Sequence, residues 1–313
     1  MSGLAIANRL QARWLALPGN TRGALWMLAS GVGFTAMAVA IKLLGARLDS
    51  FQVAFFRIVF GFIVILPIAG YFGMTGGFVF LRTRHLHVHA IRGVLGMVAM
   101  YCSYYALARI ELADFTALSF TKPLFATVLA VIILGEAVRW RRWTATIAGF
   151  IGVLIMMRPG TGTFQTAGFF ALGEAFSIAF LVTLVKRLPA RETTLGMLFY
   201  FGAIASLLSL PGAIYTWRNP SPEEWGLLLV VGALGAASQS FWIRAFRCAD
   251  ASLVAAFDYL RLPLAAAVGM IWFAELPSIW TVAGAVVIVA STIYIARREA
   301  ALGARPAASA AQK

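Results

Sequence analysis

Five ionisable residues lie inside stretches that are otherwise apolar: Arg57, Lys122, Glu174, Asp258 and Arg261. A charge in such a setting costs about 2.5–3.5 kcal/mol on insertion scales, so it faces a cavity, a partner or a solute rather than hydrocarbon. Arg57 is too deep in its stretch to snorkel to water. It suits an anionic solute group or a carboxylate on another helix. Lys122 stands beside Pro123, and Arg261 stands close to Pro263. A cation next to a helix-disrupting proline is the arrangement of a mid-membrane site, since broken helices also expose backbone groups. Asp258 and Arg261 are three residues apart and share a helical face; they either neutralise each other or exchange partners as a gate. Glu174 has no basic residue at i±3 or i±4. A lone membrane carboxylate suits proton coupling, and the alternative is a partner such as Lys122 or Arg57 across the bundle.

Aromatic residues supply a second kind of chemistry. Tyr101, Tyr104 and Tyr105 share a helical face; with Phe34 and Trp242 they would form a cage for a flat or cationic solute, with Tyr259 next to Asp258. Core or lipid packing is the alternative for each taken singly. Lys42 lies near a helix end and reads as a snorkelling structural cation. Glu136 and Glu275 also lie at helix ends, where they would fix a loop or cap the following helix. His85, His87 and His89 alternate without acidic neighbours, and Cys102 and Cys248 read as small hydrophobes, so neither group suggests a metal site or a disulfide framework. There is no G-x-x-x-x-G-K-[ST] stretch, so ATP is not the energy source, and no cofactor is implied.

The elements that must position these residues are membrane helices. The chain is 61% hydrophobic with a mean hydropathy of +0.85, beyond the roughly half-apolar composition of soluble domains. The pattern predicts an all-α polytopic membrane protein with ten spans, near 22–43, 51–71, 91–108, 114–135, 141–158, 166–186, 193–215, 224–246, 250–274 and 277–297. The N-terminus lacks a signal-peptide pattern, so the first span is expected to be retained. The net charge of +14 is a matter of topology rather than of nucleic acid. With the N-terminus placed inside, 18 Lys and Arg fall in the termini and even connections, against four in the odd ones (Arg47, Arg109, Arg158 and Arg218). That bias puts both termini in the cytoplasm.

The spans divide into two sets of five. Spans 3 to 5 align with spans 8 to 10 at an offset of 139: Ala106 falls on Ala245, Lys122 on Arg261 and Glu136 on Glu275, with Gly152 on Ser291. Nearer the front, an offset near 144 puts Ser50 on Thr194, Phe55 on Phe199 and Pro67 on Pro211. Five is odd, so the second set enters the membrane inverted, and inverted repeats are an architecture of secondary transporters. The expected organisation is a tail at 1–21, a first repeat at 22–158, a second at 166–297 and a tail at 298–313.

Gly135-Glu136, followed by Ala148-Gly149-Phe150-Ile151-Gly152-Val153, recurs in degenerate form as Ala274-Glu275 and Ala283-Gly284. On these residues the chain resembles the drug/metabolite transporter superfamily, and within it the ten-helix EamA-type carriers. The resemblance covers roughly residues 20 to 297. Ala274 stands where the family pattern has glycine. The run from Leu48 to Arg57, Ser119-Phe120 before Pro123-Leu124-Phe125, Met197-Leu198-Phe199-Tyr200 and the segment from Leu253 to Leu260 look similar to a subgroup containing S-adenosylmethionine and riboflavin-type importers. The resemblance implies secondary transport of a small organic solute by alternating access in a bacterial inner membrane. It also implies that spans 5 and 10 support the scaffold or a homodimer contact; with no ATP motif, the energy is expected from a proton, a counter-solute or the substrate gradient. An exporter of amino acids or other small metabolites is the alternative; a membrane-embedded enzyme and a non-transporting scaffold fit the buried charges less well.

Overall fold

The computed structural model describes residues 17–77, 83, 86–135, 140–158, 166–185, 194–249, 254 and 257–303. Glu136, His85 and much of the basic charge of the even connections lie outside these residues. Among the described residues the chain is helical throughout: α1 (Gly19–Leu44), α2 (Ser50–Gly76), α3 (Leu86–Leu107), α4 (Leu112–Ser119), α5 (Lys122–Leu134), α6 (Trp140–Met157), α7 (Ala167–Val185), α8 (Thr194–Tyr215), α9 (Pro222–Cys248), α10 (Arg261–Phe273) and α11 (Ile279–Gly303). Five described stretches are long and apolar enough to cross a membrane, and five shorter apolar helices accompany them. Large apolar side chains point outward, among them Ile132, Leu207, Ile271 and Ile279; a lipid environment accommodates that surface where water would not. The last helix runs to Gly303, past the expected start of a tail at residue 298.

Two spans are discontinuous. The fourth is split into α4 and α5 at Phe120 and Thr121, and the ninth is interrupted at Tyr259 and Leu260 before α10. The cause is local. Pro123 and Pro263 occupy the first turn of α5 and α10, where a missing N–H is tolerated, but they cannot continue a helix from the preceding turn. Lys122 and Arg261 therefore open new helices rather than sitting within unbroken ones. Both helices also end alike, on a left-handed residue: Gly135 at φ +67° and Ala274 at φ +54°.

The helices pair in a pattern that the two-repeat organisation accounts for. Number the ten spans in order, with α4 and α5 as span 4 and α10 in span 9. The principal pairings are then 1 with 8 and 3 with 6, 3 with 7 and 2 with 8, 4 with 6 and 1 with 9, together with 2 with 7, 4 with 9 and 5 with 10. Exchanging every span for its counterpart five places on returns these pairings, which relates the halves by an approximate two-fold axis; span 4 also meets span 10, a contact without an equally close counterpart among the described residues. Span 5 meets span 10 through bare backbone: a Cβ on Gly284 would lie 2.5 Å from the Gly152 carbonyl oxygen, a separation that only small residues permit.

The odd connections gather at one end of the bundle. There Arg47 pairs with Glu224 at 3.4 Å. The Gln52 side chain bonds both the carbonyl and the N–H of Arg218 at 2.7 and 3.1 Å. Asp49 caps α2, and Ser221 with Glu224 forms a reciprocal capping box on α9. At the other end, Gly19 and Gly23 of α1 pack on Cys248 and Ala249.

Candidate solute site

The two helix breaks meet near the middle of the bundle. Ser119 and Phe120 end α4 opposite α7, and Lys122 at the start of α5 forms an ion pair with Glu174 at 2.8 Å. The Ser119 hydroxyl donates to the second Glu174 oxygen at 3.1 Å. Glu174 is nearly buried, whereas Lys122 keeps a third of its side chain accessible. Asp258 interacts electrostatically with Arg261 and with Lys122, and Arg261 also feels Glu174. Four of the five ionisable residues singled out by sequence thus gather as a quartet of two acids and two bases, in which Lys122–Glu174 is the direct ion pair. Of the two readings of Glu174, a lone carboxylate or one partnered across the bundle by Lys122 or Arg57, the structure has the second: Lys122 and Ser119 are its partners. The i±3 and i±4 positions report only on the same helix, and these partners come from another.

Aromatic rings flank the quartet. The Arg261 guanidinium lies over the Phe34 ring, 5.1 Å from its centroid, a cation–π arrangement. Phe120 and Tyr259 sit at the two breaks, with centroids 4.9 Å apart. Ser119 and Phe120 belong to the site although sequence reasoning did not place them there; the signal was the equivalence of Phe120 and Tyr259 in the repeat. The expected cage of Tyr101, Tyr105, Phe34 and Trp242 is not assembled. Tyr101 packs edge-on against Phe51 at 4.5 Å, Tyr105 packs against Phe170 at 4.3 Å with Arg109 on its face, and Trp242 packs against Phe246 at 4.5 Å. Helical spacing put the tyrosines near one another but could not reveal which neighbouring helix each would meet. Arg57 stands apart from the quartet, against Gly235 of α9 and near Tyr104 of α3. His89 is buried and stacked on Tyr200.

Between the quartet and the odd-connection end lies a latch. Lys42 of α1 pairs with Glu275 and donates to the Ile110 carbonyl at 2.6 Å. The other Glu275 oxygen accepts the Leu112 N–H at 2.9 Å, so this carboxylate caps α4 across the repeat boundary rather than the helix that follows it. Gly269 makes room, since a Cβ there would come within 3.0 Å of the carboxylate. Lys42 is thus a tie between three segments and not a snorkelling cation. Beside the latch, a cavity of about 230 Å³ is lined by Glu111, Asp114, Arg158, Ser278 and Thr281 among others. Burial pushes the Glu111 carboxyl above its usual range, Asp114 and Glu275 add to the effect, and Lys42 offsets part of it.

The two-repeat chain is matched by known proteins. A family model described as "EamA-like transporter family" matches residues 21–158 and again residues 165–297. The chain belongs to this family. An S-adenosylmethionine uptake transporter of Rickettsia prowazekii is 38% identical over 280 residues, covering 90% of this chain and 94% of that protein. A riboflavin transporter of Vibrio cholerae is 32% identical, covering 89% and 94%. A pseudopaline exporter of Pseudomonas aeruginosa is 29% identical, covering 88% and 96%. The EamA-like chain is accordingly a multi-pass membrane transporter of a small metabolite. In such a carrier, a quartet of two acids and two bases between two broken helices is chemically suited to exchanging its internal partners for those of a polar guest.

Proposed function

We propose that the protein takes up S-adenosylmethionine or a closely similar solute by alternating access, with the quartet as its central site. The observation that carries this reading is the combination of Lys122, Glu174, Asp258 and Arg261 with the rings of Phe34, Phe120 and Tyr259. A solute bearing a flat heterocycle, two cationic centres and a carboxylate complements each part. The rings stack on its base, and Glu174 and Asp258 receive its cationic centres in place of Lys122 and Arg261. Tyr101, Tyr105 and Trp242 then serve packing. The relative at 38% identity supports the same solute class. The excess of Lys and Arg in even connections supports cytoplasmic termini, with the latch on the outer face of a bacterial inner membrane.

A riboflavin-type solute is the second reading, favoured by the flat aromatic walls and the relative at 32% identity. An uncharged ring system makes less use of the quartet. Uptake of radiolabelled S-adenosylmethionine and riboflavin into proteoliposomes decides between them, run with and without a pH gradient and with and without unlabelled solute inside. The gradient arm reads proton coupling and the internal-solute arm reads exchange. Saturable S-adenosylmethionine uptake that is lost in Glu174→Gln and Lys122→Met is the expected result. Riboflavin uptake untouched by both substitutions would overturn the proposal.

A further inference from the structure

Arg57 is the one residue of the five that the quartet does not absorb. Among the described residues no carboxylate stands within ion-pair distance of it. A guanidinium stays protonated in any protein setting, so this span carries an unneutralised charge. Its surroundings are arranged to receive something. Gly235 of α9 lies directly against the guanidinium, and a Cβ there would approach its Nε, Nη2 and Cζ to 3.1, 3.3 and 3.4 Å. Tyr104 of α3 is 4% exposed; the Arg57 guanidinium beside it is within reach of donating to its hydroxyl, at poor geometry, and the hydroxyl's own proton has no acceptor among the described residues. One turn along α9 from Gly235, the Ser238 hydroxyl is also buried without a partner, while its carbonyl accepts from Ser30 of α1. Buried hydroxyls left open beside an open guanidinium cost stability unless a guest completes them.

We infer that Arg57 and the Tyr104 hydroxyl, with the bare backbone of Gly235 beside them, form an anion subsite that takes the carboxylate of the transported solute. This deepens the proposed function and rests on it. Arg57 offers the planar donor fork that matches a carboxylate, Tyr104 adds a neutral donor, and Gly235 keeps the guanidinium from being displaced. Gly33 of α1 packs on Ser238 and is followed by Phe34, on which Arg261 lies. The subsite therefore connects through one turn of α1 to the quartet, and a zwitterionic solute spans both. The geometry selects solutes that carry a carboxylate over the same solutes without one, a discrimination the quartet alone does not require.

The test compares probes differing only in that group. Full-length protein in detergent is titrated with L-methionine and with L-methioninol, its carboxylate-free counterpart, and thermal unfolding is followed. Uptake competition in proteoliposomes uses S-adenosylmethionine and its decarboxylated form. Wild type should favour the carboxylate member of each pair at least tenfold. Tyr104→Phe, which keeps the ring and the packing, should lower that preference about tenfold by removing one hydrogen bond to a charged group. Arg57→Gln should abolish it, and Gly235→Ala should reduce it by crowding the guanidinium. Equal response of wild type to both members, or an undiminished preference in Tyr104→Phe or Arg57→Gln, overturns the subsite. If Arg57→Gln does not fold, Tyr104→Phe decides alone. The titration does not depend on S-adenosylmethionine being carried: absence of its uptake sinks the proposed solute, whereas absence of carboxylate preference in the titration sinks the subsite.

Discussion

Removing Lys42 should open the odd-connection end. The latch ties α1 to the connection before α4 and to the one after α10 through the Lys42–Glu275 pair, the Lys42 bond to Ile110 and the Glu275 bond to Leu112. Breaking a fully buried pair from one side costs about 3–5 kcal/mol. Here the two side chains retain 15% and 14% exposure, and Glu275 keeps the Leu112 N–H at a helix start, which suits a carboxylate. The loss on Lys42→Met is therefore about 2 kcal/mol, or roughly a 30-fold shift toward the open end. Thr116 lies one turn beneath the latch, is 4% exposed and bonds only its own helix, to Leu112, so a cysteine there reports opening with little disturbance. With Cys102 and Cys248 replaced, maleimide labelling of Thr116→Cys in detergent should accelerate on that scale in Lys42→Met. The Lys42→Met/Glu275→Gln double variant should be less accelerated than the two singles combined. Unchanged labelling, or strictly additive effects, would refute the latch.

Three further outcomes follow from local geometry. Ala274 sits at φ +54°, where an L residue is strained by about 1–2 kcal/mol, so Ala274→Gly should raise the Tm by a few degrees and leave transport intact; thermal unfolding with an uptake assay checks both. Gly284→Val would drive side-chain atoms into the Gly152 carbonyl and should lower the Tm markedly through overpacking worth about 1–3 kcal/mol or more. The folded Glu111 carboxyl titrates above its ordinary value of 4.5. The folded state therefore holds a proton that the unfolded state has released, and this contribution to stability falls as pH rises from about 4.5 through the folded value. Unfolding followed between pH 4 and 7 should show that slope, and Glu111→Gln should flatten it.

Much of the fold was legible because lipid imposes simple rules. Ten apolar runs, alternating basic connections and two offsets relating the halves all reflect length, charge and duplication, which are one-dimensional quantities. The breaks were announced by Pro123 and Pro263, although the helices part at Thr121 and Leu260, just ahead of them. The site was legible in its residue types, but its pairings were not, beyond Lys122 standing as one of two candidate partners for Glu174. Glu174 meets Lys122 from 52 positions away in sequence, and Glu275 reaches Leu112 from 163 positions away. Such contacts follow from how helices pack, which no local spacing encodes. The same limit explains the aromatic cage: Phe34 met Arg261, while Tyr101, Tyr105 and Trp242 each found a ring on their own side of the bundle.

The helix pairing carries a thermodynamic corollary. Spans 2 with 7, 4 with 9 and 5 with 10 are each their own counterpart under exchange of the halves, whereas 1 with 8 and 3 with 6 trade places. A motion that converts one set into the other can leave the self-matched pairs as stationary bearings and turn only the two outer couples. The packing released at one end would then be of the same kind as the packing formed at the other, apart from the Lys42–Glu275 latch. In a carrier that turned in this way, net direction would be set by the chemical potentials on either side.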